Sequence, residues 1–119
     1  MLYDTTQIAL ERTIQGASMR NEALAANLAN ANTPGYQRVD VDFHSTLAQA
    51  MGARKPHSAL ETAAFAPAVD AAGPMRADGS TVDVDAESAK LAANGLEHQT
   101  AITIAGARLD IVRSAMGVA

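Results

Sequence analysis

Two heptad repeats, one at each end of the chain, constrain the fold more than any other feature. From Tyr3 through Gln7, Leu10, Ile14, Ala17, Asn21, Leu24, Leu28 and Ala31 the steps alternate four and three without a break. From Val84 through Ser88, Leu91, Gly95, His98, Ile102, Ala105, Leu109, Val112 and Met116 they do so again. Such an alternation has a period of 3.5, the pattern of a helix that packs along one seam. The predicted fold is mainly α: two long terminal helices packing as a coiled-coil hairpin, with a short extended segment, a short helix and a loose loop between them. Leu10, Ile14, Leu24, Leu28, Leu91, Ile102, Leu109, Val112 and Met116 are the apolar members of the packing seams.

The seams are thin. Ala17, Asn21, Ser88, Gly95, His98 and Ala105 are small or polar, which permits close approach but weakens a two-stranded zipper. Gly16, Gly95, Gly106 and Gly117 each cost about 1 kcal/mol of helix propensity relative to Ala. Ile8, Leu96, Ile104 and Ile111 lie off the seams and leave apolar surface over. Helices of this kind gain stability from several neighbours; a plain hairpin burying everything internally is the alternative.

Between the repeats, residues 27 to 36 read Asn-Leu-Ala-Asn-Ala-Asn-Thr-Pro-Gly-Tyr. The short amides of Asn27, Asn30 and Asn32 compete with the backbone and favour a helix end. Thr33 precedes a proline and is pushed out of the helical region. Pro34 sets φ for the second position of a turn and Gly35 supplies the positive φ of a type II turn. The first helix is expected to stop near Ala31, and Tyr36 to anchor the exit. Val39, Val41 and Phe43 then alternate with charged residues as in a short extended segment, and Phe43, Leu47 and Met51 recur at helical spacing before Gly52. Residues 53 to about 80 hold Pro56, Pro67 and Pro74 and show no period, which reads as a loose arm. Asp85 is the expected N-cap of the last helix. One domain follows, 1–119: an N-terminal helix (1–32), the turn, extended segment and short helix (33–52), an arm (53–84) and a C-terminal helix (85–117).

Composition removes most function classes. The net charge is -4 with a pI near 5.2, and scattered basic residues do not make a nucleic-acid surface. Without Cys there is no disulfide, thiolate metal site or Cys nucleophile. Alanine supplies 27 residues against two Phe, two Tyr and no Trp, so the core is thin and a self-sufficient globule is not expected. Neither a cleavable signal peptide nor a membrane span is legible. An EF-hand register on Gly79 would place Pro74 and Arg76 at ligand positions, so Asp78, Asp83, Asp85 and Glu87 read as a solvated helix start. His44, His57 and His98 lack metal-ligand spacing, and His98 reads as a packed or interface histidine. No serine lies in a nucleophile elbow and no glycine set forms a phosphate loop. No catalytic site, cofactor, metal or small-molecule substrate is implied.

The chain resembles the flagellar rod, hook and filament axial family, whose Asn-x-x-Asn-x-x-Thr-Pro-Gly-Tyr signature is matched by Asn27, Asn30, Thr33, Pro34, Gly35 and Tyr36. The short length, the Val39 to Phe43 segment and the stretch from Asp78 to Asp85 through Leu91, Asn94, Leu96 and Gln99 resemble its proximal-rod members. Ala92-Ala93-Asn94 and Glu97-His98 depart from the charged and aromatic residues commoner there. The resemblance implies a structural protein of the basal body that transmits torque and lines an export channel. Its implied partners are other rod proteins, further copies of itself, a FliE-like adaptor and the membrane ring and export gate. It also implies a periplasmic rod location reached by type III export without a cleaved signal. The alternative is a small cytoplasmic helical-hairpin adaptor or secretion chaperone.

Overall fold

In the computed structural model, which describes residues 4–117, the elements run α1 (Thr5–Ala29), β1 (Val39–Asp40), α2 (Phe43–Met51), α3 (Pro56–Thr62), β2 (Ala68–Val69) and α4 (Val84–Ala115). The two long helices lie antiparallel against each other, with Asp4 at one end of α1 meeting Arg108, and Asn27 at the other meeting Glu87. The seam position Tyr3 lies outside the described residues. The molecule measures 61 × 34 × 14 Å, a plate little thicker than one helix with its side chains.

Each helix start has a local cause. The Asp4 carboxylate accepts from Gln7 N at 2.8 Å, and Asp42 accepts from Ser45 N at 3.3 Å. Pro56 opens α3 at a first-turn position, where its missing N–H costs nothing. The last helix is capped by Asp83, which accepts from Asp85 N and Ala86 N, two residues before the expected cap. Asp85 serves in the favourable acidic first turn instead.

The middle is more ordered than its composition suggests. Residues 56–62 are helical, and β2 pairs antiparallel with β1, Val39 opposite Val69 and Asp40 opposite Ala68. The short runs carry no readable period because tertiary partners fix them. Leu60 of α3 is fully buried, and Phe65 meets Phe43 edge-to-face at 6.2 Å. The apolar core gathers Ile8, Ala17, Ala23, Val41, Phe43, Leu47, Ala50 and Leu60, so it lies between α1 and the α2–α3 pair rather than between the long helices. Gly16 makes it possible: a Cβ there would stand 2.5 Å from Cγ of Phe43, so the ring packs directly on the helix backbone. Among the described residues no helix is long and apolar enough to cross a membrane.

Candidate functional site

The Asn-to-Tyr segment forms a turn and then a polar knot. Asn30 caps α1, so the helix ends at Ala29, near the expected stop. Tyr36 N donates to Thr33 O at 3.1 Å across Pro34 and Gly35, and Gly35 has φ 75°, the type II geometry. Asn32, Thr33, Pro34 and Gly35 are exposed, whereas Tyr36 is half-buried. Asn30 turns its amide back to the Ala26 carbonyl at 2.9 Å and receives Thr33 Oγ1 at 3.2 Å.

Asn27 departs from its expected role. Its side chain does not end the helix but is buried inside it, where Nδ2 donates to Val39 O at 2.7 Å and Oδ1 accepts from Val39 N at 2.9 Å. The amide thus imitates a neighbouring strand along the free edge of β1. The same Nδ2 reaches Glu87 Oε1 at 2.6 Å, and Tyr36 Oη donates to Asn27 Oδ1 at 3.4 Å.

Glu87 corrects a second expectation: far from belonging to a solvated helix start, it is 1% exposed. Arg38 grips it in a fork, Nε to Oε2 and Nη2 to Oε1, both at 3.0 Å. The same guanidinium bonds Asp70 through Nη1 and Asp40 through Nη2 at 3.2 Å, and Asp40 in turn holds Arg20 at 2.8 Å. The pair with Glu87 holds Arg38 charged more firmly than an ordinary arginine, against the opposing effect of burial and with help from Asp40. For Asp40, burial acts to raise the carboxyl pKa, but the hydrogen bonds from Arg20 and from Val41 N outweigh it and leave the value below the ordinary one. One side chain just before the strand therefore ties β1, the segment after β2 and α4 together, and reaches α1 through Asp40 and Arg20.

The arm closes the knot from outside. A turn in which Gly79 N donates to Arg76 O at 2.9 Å brings Asp78 O to Gly35 N at 2.9 Å. Arg76 Nη1 and Ser80 Oγ both donate to Ala31 O, at 2.8 and 3.3 Å, satisfying a carbonyl that the ended helix leaves open. Thr81 N donates to Tyr36 O and Thr81 Oγ1 accepts from Arg38 N. Arg38, Arg76 and Ser80 belong to no local pattern, and Glu87 read only as part of a solvated helix start; the partners in other elements that fix these side chains lie 32 to 60 residues away.

The seam residues divide. Leu24 is fully buried, Leu10, Ile14, Leu28, Leu91 and Val112 are half-buried, and Ile102, Leu109 and Met116 are exposed. The line of α4 that faces α1 instead runs through Glu87, Asn94, Ala101 and Arg108, with Leu91, His98, Ala105 and Val112 beside it. Leu96, Ile104 and Ile111 are exposed on the other flank of α4. Among the described residues no three His, Asp or Glu stand close enough to hold a metal ion. What the arrangement can do is mechanical: it fixes the angle of a helix pair and presents two apolar flanks.

Comparison with known proteins points the same way. A family model described as "Flagella basal body rod protein" matches residues 7–37, the span of α1 and the turn. The flagellar basal body rod protein FlgB of Salmonella typhimurium is 37% identical, with 77% of this chain and 78% of the relative covered. FlgB of Yersinia ruckeri is 34% identical over 83% of this chain and 84% of its own length. FlgB of Escherichia coli is 34% identical over 72% and 74% respectively. These relatives leave the adaptor or chaperone alternative without support.

Proposed function

The chain belongs to the FlgB family of flagellar basal-body rod proteins, and from that premise we propose that it forms part of the proximal rod, transmitting torque and lining the export channel. As a member of that family it is a structural component of the basal body. In the proposed role its partners are further copies of itself, other rod proteins, a FliE-like adaptor and the membrane ring and export gate. In that role it reaches the periplasmic rod by type III export.

The observation that carries the reading is apolar surface left outside the hairpin. Ile102, Leu109 and Met116 recur every seven residues on one flank of α4, and Leu96, Ile104 and Ile111 line the other, all exposed. A lone soluble chain rarely exposes so much ordered apolar surface along one helix. Flanks on opposite sides of a helix favour contacts of the head-to-tail kind, which extend rather than close. The knot of Asn27, Tyr36, Arg38 and Glu87 fixes the angle at which the arm leaves the helix pair. Asn30, Asn32, Thr33, Pro34 and Gly35 give the turn that starts it.

Complementation tests the reading. In a strain lacking its own copy, the native chain restores swimming and is recovered in isolated basal bodies, whereas Leu109→Asp restores neither. Recovery of the native chain only in the cytoplasm, or full motility with Leu109→Asp, would sink it.

A further inference from the structure

The face that α4 turns toward α1 is its polar one. Glu87, Asn94, Ala101 and Arg108 stand seven residues apart along that face. Each polar member is bonded to α1: Glu87 to Asn27 at 2.6 Å, Asn94 Nδ2 to the Ala17 carbonyl at 2.8 Å, Arg108 to Asp4 at 2.8 and 2.9 Å and to Gln7 at 3.3 Å. A second set, Gly95, Ile102, Leu109 and Met116, repeats with the same interval and shares Leu91, His98, Ala105 and Val112 with the first. That set is the apolar one, and Ile102, Leu109 and Met116 are 40%, 47% and 66% exposed.

At about 100° per residue, the two seams are centred about 50° apart around the helix. A turn of α4 by that angle would bring Ile102 against α1 and Leu109 against its first turn, and swing Asn94 and Ala101 outward; Met116 lies about two turns past the Arg108–Asp4 pair, beyond the start of α1. Apolar burial favours the turned state, since each square ångström removed from water contributes about 25 cal/mol. Hydrogen bonding favours the observed one. The observed facing also carries a cost of its own, because Oδ1 of Asn94 is buried without a partner. A polar group placed at a seam position, at some loss of stability, is a known way to select one helix arrangement over another.

We infer that Asn94 and Arg108, with Glu87 at the motif end, are rotational locks that hold α4 with its apolar seam turned outward. The apolar residues stay outside because three polar residues bonded to α1 and its cap keep them there. The use of that seam by neighbouring subunits rests on the rod reading; the facing of the helix is a property of the single chain.

The chain has no Cys, so single introduced thiols are unambiguous probes. Maleimide labelling of dilute full-length chain is compared for Leu109→Cys and Ala101→Cys, each in the native background and with Asn94→Leu and Arg108→Leu together. Glu87 is kept, since its removal would strand the buried Arg38. In the native background the thiol at 109 reacts fast and that at 101 slowly. In the altered background the order reverses, 109 slowing and 101 quickening by about tenfold, the size of a modest shift in local opening. Unchanged rates, or quickening at both positions, would overturn the inference, the latter by making the polar groups mere stabilisers. Where circular dichroism shows that the double change lowers helix content, Arg108→Leu alone is read by the same criterion. Labelling reports on the isolated chain, so its failure leaves the rod reading to motility and fractionation.

Discussion

Asn27 does the work of a strand from within a helix. Its amide satisfies both the N–H and the C=O of Val39 and also reaches Glu87 and Tyr36. Asn27→Ala would strip the Val39 N–H and C=O of their partner, while Glu87 keeps its bonds from Arg38, and each such loss costs about 1–3 kcal/mol. A fall of about 3 kcal/mol in unfolding free energy by guanidinium titration is expected, with helix content retained in the folded baseline; a loss within experimental scatter would contradict the bonding scheme. Gly16→Ala makes a different case, because its added Cβ meets the Phe43 ring rather than a hydrogen bond. Overpacking of this kind costs about 1–3 kcal/mol, read as a lower melting temperature. The sequence marked Asn27 as special but assigned it a helix end, since nothing local announces a partner 60 residues on at Glu87. Gly16 read as a helix weakness for the same reason: the ring that needs the space lies in another element.

At the scale of elements, the turn and the arm meet through two glycines with positive φ, Gly35 at 75° and Gly79 at 83°. An alanine at Gly35 meets nothing within 4 Å, so it suffers only backbone strain of about 1–2 kcal/mol. At Gly79 the same strain is joined by a Cβ 3.2 Å from the Gly35 Cα. Thermal melting should therefore rank Gly79→Ala below Gly35→Ala, and equal or reversed losses would show that the arm does not press on the turn. The helix caps make the elements acid-sensitive. Asp4 is held below the ordinary carboxylate value of 3.8 by the Gln7 N–H, and Asp42 by Ser45. Asp40 is lowered too, since its hydrogen bonds from Arg20 and Val41 N outweigh burial. All three are lowered in the folded state, so the unfolded chain takes up protons first as pH falls. Their contribution is present above the unfolded value and lost as pH drops through the folded ones. The melting temperature should hold level down to about pH 5 and fall below about pH 4. Helix existence and the type II turn were legible because they are local, whereas the caps Asp4 and Asp42 went unnamed and the expected cap Asp85 gave way to Asp83. The arm was not, because α3 and β2 owe their form to Leu60, Phe65 and β1.

For the whole molecule, the plate is built the other way round from a simple hairpin. The apolar core sits on one side of α1 with α2 and α3, the residues of α4 buried against α1 are small or polar, and Leu96, Ile102, Ile104, Leu109 and Ile111 of α4 are exposed. The heptad at the C-terminus was visible in the sequence, but its direction was not. Two overlapping seams share Leu91, His98, Ala105 and Val112, and only tertiary bonds from Glu87, Asn94 and Arg108 choose between them. The central claim is that the outward seam is reserved for other subunits. A density map of isolated basal bodies containing this chain tests it most directly. Ile102, Leu109 and Met116 are predicted to be buried against neighbouring rod subunits, with Asn94 still on Ala17 of its own chain. A map in which those three side chains face open solvent, or in which α4 has turned Ile102 and Leu109 onto its own α1, would contradict the account.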